Sequence, residues 1–200
     1  MSETCFESPL AGIATPDGLA VSIREIADRG MIDLRGLASD AGFMAATKSV
    51  LGADLPTAPR TSVAVGEVTL LWLSIDQWLI LCPRTNVSDL LARLKDALQG
   101  IHSLAVDVSD MRAVVRMEGD GCREILMKGC SLDLLSGDYT AGTVRRMRFA
   151  EIAALLHVVE DDVFDIYVFR SYAQYTWEFL LATAREPAKI TLFGKQTAPV

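Results

Sequence analysis

Gln77-Trp78-Leu79-Ile80-Leu81-Cys82-Pro83-Arg84 is an apolar run that ends at an arginine and leads into Ser88-Asp89-Leu90-Leu91-Ala92-Arg93-Leu94, where leucines recur at helical spacing. Val163-Phe164-Asp165-Ile166-Tyr167-Val168-Phe169-Arg170 has the same layout and leads into Tyr175-Thr176-Trp177-Glu178-Phe179-Leu180. A short run of apolar and aromatic residues reads as a buried strand, and apolar positions three and four apart read as a helix packed on it. The same strand, arginine and helix used twice predicts two similar half-units closed around one core.

Outward from the first run, Met31-Ile32-Asp33-Leu34-Arg35-Gly36 alternates as a strand does. Asp40 is placed to cap a helix over 41–51, with Phe43, Met44, Thr47, Val50 and Leu51 on its apolar face and Gly52 as its stop. Leu55 to Pro59 is a stiff connector, 63–73 a hairpin turning at Gly66-Glu67, and Ser74-Ile75-Asp76 a turn. The next helix spans 89–99, capped by Ser88, stopped by Gly100, and striped by Leu90, Leu91, Leu94, Ala97 and Leu98. Leu104 to Val108 reads as a strand bridging the halves.

The second half repeats the order: a strand over Ala113 to Gly119, then a helix capped by Asp120 that carries Cys122, Ile125 and Leu126 and ends at Gly129. Strands follow at about 143–149, 152–159 and 163–169, then a helix at about 172–184 capped by Ser171, with Trp177, Leu180, Leu181 and Ala184 inward. The fold class expected is α+β, two similar β-α-β-β-β-α halves with helices on one face of mostly antiparallel strands. Residues 1–28, punctuated by Pro9, Gly12, Pro16 and Gly18, form an irregular arm; 29–186 is a single domain of halves at about 29–101 and 104–186; 187–200 is a tail.

Half of the 200 residues are apolar, enough for a sizeable core. The net charge of -7 disfavours a nucleic-acid partner. The basic cluster Arg145-Arg146-Met147-Arg148 reads as the solvated face of a strand. No apolar run approaches the roughly 20 residues that span a bilayer. Met1-Ser2-Glu3-Thr4-Cys5-Phe6-Glu7 lacks the basic-then-apolar layout of a signal peptide, so a cytoplasmic location is expected. Cys5, Cys82, Cys122 and Cys130 contain no C-x-x-C pair, and Cys82 and Cys122 lie on apolar faces as core residues do.

Nucleophilic catalysis needs a base beside the nucleophile. His102 sits in a linker, and His157 sits inside Ala153-Ala154-Leu155-Leu156-His157-Val158-Val159, where a histidine is usually structural. No G-x-S-x-G, P-loop or G-x-G-x-x-G occurs, and Gly119-Asp120-Gly121 reads as strand-to-helix turning rather than as an anion site. Asp107 and Asp110, near Arg112, read as a turn and cap, with an acid–base pair as the alternative. Lys128-Gly129-Cys130 reads as a helix end with a left-handed glycine, with a reactive thiol as the alternative. No catalytic, cofactor-binding or metal-binding residue is therefore expected. The aromatics are more numerous than one inward stripe needs: Trp177 suits a core, Trp72 and Trp78 suit one only if both sheet faces are covered, and Tyr172, Tyr175, Phe179 and Trp72 are candidates for a protein–protein interface.

At these residues the chain resembles the gamma subunit family of heterotetrameric sarcosine oxidase. The resemblance rests on Ser8-Pro9-Leu10-Ala11-Gly12, Leu34-Arg35-Gly36, Leu55-Pro56-Thr57-Ala58-Pro59, Trp72-Leu73-Ser74-Ile75-Asp76-Gln77-Trp78-Leu79, Val106-Asp107-Val108-Ser109, Lys128-Gly129-Cys130-Ser131-Leu132-Asp133-Leu134 and Arg170-Ser171-Tyr172-Ala173-Gln174-Tyr175-Thr176-Trp177-Glu178. Ser131 and Leu135 depart from the family, which often has proline and histidine there.

The resemblance implies a fold like the folate-binding domain of the glycine-cleavage T-protein. It also implies a non-catalytic place beside alpha, beta and delta subunits. That complex demethylates sarcosine oxidatively to glycine and hydrogen peroxide, with the methyl carbon leaving as formaldehyde or taken up by tetrahydrofolate. FAD and FMN would sit with beta, NAD and the folate site with alpha, and zinc with delta, with no cofactor on this chain. The rival readings are a stand-alone folate-binding one-carbon transferase using Asp107, and an iron–sulfur assembly accessory protein using Cys130. The glycine-glutamine-glutamate run of that last family is absent.

Overall fold

The computed structural model describes residues 6–185. The elements in chain order are β1 (Ser22–Glu25), β2 (Arg29–Arg35), α1 (Ala41–Leu51), β3 (Ser62–Val65), β4 (Val68–Ser74), β5 (Gln77–Pro83), α2 (Val87–Ala97), β6 (Leu104–Asp107), β7 (Arg112–Glu118), α3 (Cys122–Met127), β8 (Val144–Phe149), β9 (Ile152–Glu160), β10 (Val163–Phe169) and α4 (Ala173–Thr183). They form two five-stranded sheets, ordered β3-β4-β5-β2-β6 and β1-β7-β10-β9-β8. Every strand pair in them is antiparallel.

The two opening runs fold alike. Each becomes a strand, then one 3₁₀ turn (Arg84–Asn86 or Arg170–Tyr172), then an 11-residue helix. That turn overrides the caps read at Ser88 and Ser171. The chain is already winding at the arginine, α2 begins at Val87 and α4 at Ala173, and neither has a side-chain cap. Asp120 does not cap α3 either. Asp40 does cap α1, accepting from the backbone N–H of Gly42 (2.8 Å) and Phe43 (3.1 Å). Gly52 closes that helix with φ 80°, which glycine adopts without a Cβ penalty.

Period-two alternation sorts each strand into two faces, and here both faces are covered. Ile32, Leu34, Leu70, Trp78, Ile80 and Cys82 meet Phe43 and Leu51 of α1 and Val87, Leu90 and Leu94 of α2. On the second sheet, Val115, Met117, Leu156, Phe164 and Ile166 meet Ile125 and Leu126 of α3 and Trp177 and Leu180 of α4. The remaining faces pack on each other through Met31, Leu71, Leu79 and Leu81 against Val114, Val144, Leu155 and Tyr167. The layers are therefore helix, sheet, sheet, helix. This is why Trp78 through Cys82 are buried without a break.

Two segments lie elsewhere than their sequence suggests. The arm is not irregular throughout: β1 pairs with β7 from Ser22↔Glu118 to Glu25↔Val115, and Leu10 enters the core of the second sheet. Leu104 to Asp107 does not bridge the sheets but pairs with β2 at the edge of the first. The sheets instead meet beside β3 and β8, where Ser62 N–H donates to the Gly142 carbonyl and Val144 N–H to that of Arg60, both at 2.8 Å. The tail at 187–200 lies outside the described residues.

Candidate functional site

The polar residues that the strands turn inward gather at two ends of the space between the sheets. At one end Asp165 of β10 is 1% exposed. Arg116 of β7 grips it from both sides, Nε to Oδ1 at 2.6 Å and Nη2 to Oδ2 at 2.9 Å. Arg29 of β2 approaches Oδ2 from the opposite sheet at 3.5 Å. A bidentate guanidinium fork fits a carboxylate, and the second arginine adds a tie between layers. Burial pushes the neighbouring Tyr167 phenol well above its ordinary range, chiefly by desolvation with Asp165 adding to it.

His157 of β9 lies beside this pair with its Nε2 3.1 Å from Ser62 Oγ. Nucleophilic use would need that nitrogen to accept the hydroxyl proton. The hydroxyl proton already goes to the Gly142 carbonyl at 2.9 Å, so the hydrogen-bond pattern assigns Nε2–H as the donor to Ser62. Nδ1 is buried without a partner, so no third group orients the ring. Burial lowers the His157 pKa to about 4, the Asp165 charge opposing and the Arg29 and Arg116 charges adding. The arrangement holds two sheets in register and supplies no base.

At the other end the sheets part around a cleft of about 290 Å³ lined by Leu73, Arg112, Arg146, Leu155, Tyr167 and Phe169, among others. Gln77 links the two sheets at the lining residue Arg146, donating to Asp33 (2.8 Å) and accepting from Arg146 (3.0 Å). The Arg112 guanidinium lies 5.6 Å from the Phe169 ring centre.

The residues singled out by sequence do not converge. Asp107 accepts from the backbone N–H (2.9 Å) and hydroxyl (2.5 Å) of Ser109, while the Ser109 hydroxyl accepts from Met31 N–H at 2.9 Å. Asp110 pairs with Arg84 at 2.9 Å rather than with Arg112. This is the turn arrangement. Lys128 donates to the Thr183 carbonyl at 2.6 Å, and burial raises the Cys130 thiol, so the cation does not make a thiolate there. Gly129 is not left-handed: its need for glycine is the Phe149 ring, 2.5 Å from where a Cβ would stand. Burial likewise raises Cys82 to about 11 and Cys122 to about 12, as befits core thiols.

Of the surplus aromatics, Tyr172 and Tyr175 are exposed at 44% and 39%, Trp72 is half-buried, and Phe179 is turned inward. Phe179 makes an edge contact with Phe149 at 5.2 Å, so it packs against the core while staying partly exposed. Trp78 is fully buried and donates to the Pro56 carbonyl at 2.8 Å. Sequence reasoning passed over Arg29, Arg116 and Asp165, and noticed Arg112 only as a neighbour of Asp107 and Asp110. Their signal was present: Arg112, Val114 and Arg116 share one face of a strand whose other face is Ala113, Val115 and Met117.

Among the described residues no three His, Cys, Asp or Glu side chains gather as a metal site, and no helix is long and apolar enough to cross a membrane. The model of the sarcosine oxidase gamma subunit family matches residues 35–186. The sarcosine oxidase subunit gamma of Corynebacterium sp. (strain U-96) is 28% identical over 174 residues, covering 84% of this chain and 80% of that one. A chain in the structure of heterotetrameric sarcosine oxidase from Corynebacterium sp. U-96, in complex with pyrrole 2-carboxylate, superposes with TM-score 0.83. It is 25% identical, covering 92% of this chain and 97% of that one. The glycine cleavage system aminomethyltransferase T from Bartonella henselae shares the fold at TM-score 0.60 and 15% identity, over 82% of this chain and 46% of that one.

Proposed function

This chain belongs to the sarcosine oxidase gamma subunit family, and on that premise we propose that it is a non-catalytic subunit of a heterotetrameric oxidase complex. The observation that carries the reading is the superposition along nearly the whole of both chains onto a member of such a complex. The interior adds support: Asp165 is saturated by arginines, the Ser62 proton points away from His157, and Asp107 is engaged in a turn. The partners are alpha, beta and delta subunits. The complex oxidises the N-methyl group of sarcosine and reduces oxygen to hydrogen peroxide, the carbon leaving as formaldehyde or passing to tetrahydrofolate. FAD, FMN, NAD and zinc are assigned to the other subunits.

We infer also that the body is a duplicated unit, as the paired strand–turn–helix segments suggest. Exposed Tyr172 and Tyr175 belong to a subunit contact on this reading.

Co-purification from the native host tests the assignment. An affinity-tagged chain should bring down the other subunits with bound flavin; a chain recovered alone and monodisperse would remove the subunit reading. Cys130→Ala should leave turnover of the complex unchanged, and titration of the isolated chain with a reduced folate at millimolar concentration should show no binding.

A further inference from the structure

The cleft between the sheets holds a cation without a counter-ion. Among the described residues the Arg112 side chain makes neither a hydrogen bond nor an ion pair, and its Nη1 is buried and unpartnered. The carboxylate whose charge reaches Arg112, Asp33, already accepts from Gln77 at 2.8 Å and faces Arg35 at 3.8 Å. Desolvation lowers the Arg112 pKa, with Asp33 only partly offsetting it. A guanidinium does not shed its proton in a protein, so the site lacks an acceptor. Arg146 also lines the cleft and donates to the neutral Gln77, so this wall is basic in a chain of net charge -7.

The surroundings decide what kind of acceptor fits. Phe169 in the cleft is 42% exposed and Met111 beside it 36%. On the facing sheet Leu104 and Val106, opposite Arg35 and Asp33, are 47% and 40% exposed. A small free carboxylate would answer the charge but leave this rim in water. An acidic side chain on an apolar stretch of protein would answer both, and 290 Å³ is room for one or two side chains.

Resting on the subunit reading, we propose that the cleft at Arg112 is a socket for an aspartate or glutamate carried on an apolar segment of another subunit of the oxidase complex. The carboxylate meets the guanidinium inside the cleft, and the flanking apolar residues cover Phe169, Met111, Leu104 and Val106. Such an anchor is desolvated at its centre, where charge pairs contribute most to association.

The test is capture of the other subunits by the affinity-tagged chain, with benzophenone placed at Ala153 on the cleft wall in a parallel preparation. Wild type should capture the complex, and Arg112→Glu should reduce capture at least a hundredfold. Arg112→Met should reduce it at least tenfold while the chain melts at or above the wild-type temperature, since methionine keeps the packing on Phe169 and removes a desolvated charge with no counter-ion; this variant decides the matter if charge reversal prevents folding. Irradiation should join position 153 to another subunit. If wild type captures nothing, the subunit reading fails. If wild type captures and both variants do so equally well, or if the cross-link goes to a second copy of this chain or to no protein, the socket is overturned and the subunit reading stands.

Discussion

His157 is 6% exposed, donates to Ser62, and is held near pKa 4 by burial, with Asp165, Arg29 and Arg116 as the facing charges. Unfolded, it titrates near 6.5. Between those values the unfolded chain binds the proton and the folded chain does not. Its contribution to stability is therefore complete above the unfolded pKa and is lost as pH falls through the folded one. Unfolding free energy should drop by about 2 kcal/mol between roughly pH 7.5 and 5, and His157→Gln should flatten that slope. Denaturant unfolding at the two pH values measures it. Gly129 makes a second prediction. A methyl group there meets the Phe149 ring at 2.5 Å, whereas one at Gly137 meets nothing within 4 Å. Gly129→Ala should lose about 1–3 kcal/mol and Gly137→Ala should stay within about 0.5 kcal/mol, read from thermal melting.

The helices differ in how far they could be read. For α1 the start, stripe and stop are all local: the Asp40 carboxylate meets the first amides, and Gly52 takes the left-handed turn. Asp40→Ala should cost about 1 kcal/mol. Helices α2 and α4 were legible in stripe but not in start. The arginine that ends the strand also begins a 3₁₀ turn, and backbone contacts set its direction: Arg84 N–H donates to Asp28 and Arg170 N–H to Met111, both at 2.9 Å. Those partners are remote in sequence. Ser88→Ala and Ser171→Ala should then change stability by no more than about 0.5 kcal/mol, because neither hydroxyl caps a helix. Chemical denaturation of the three variants side by side distinguishes the two kinds of helix start.

Across the whole molecule, the sheets are joined by apolar contact, by backbone hydrogen bonds beside β3 and β8, by the Gln77–Arg146 contact and by the buried charge cluster at Asp165. Asp165→Ala would leave Arg116 and Arg29 facing each other without their common acceptor. It should cost about 3–5 kcal/mol, and combining it with Arg116→Met should restore much of the loss. A double-mutant cycle by denaturant unfolding gives the coupling, which should well exceed that of the exposed pair Lys48–Asp54. The candidate site was the least legible part. Asp107, Asp110 and Cys130 drew notice as reactive residue types, but Asp107 is engaged in a turn, Asp110 is paired with Arg84, and Cys130 is a half-buried thiol raised by desolvation. Arg112 drew notice only as the arginine near Asp107 and Asp110, and it is the opposite sheet that leaves it a half-buried cation in a cleft.

What the sequence alone determined was the kind of most segments from β2 onward and the family, because residue spacing, caps and short motifs are local properties. What only the tertiary structure decided was what lies against each face. Period-two alternation tells which side chains share a side of a strand, but not whether helix, sheet or water covers that side. The placement of β1 in the far sheet, the grip of Arg116 and Arg29 on Asp165, and the uncompensated charge of Arg112 all follow from contacts between residues distant in the chain.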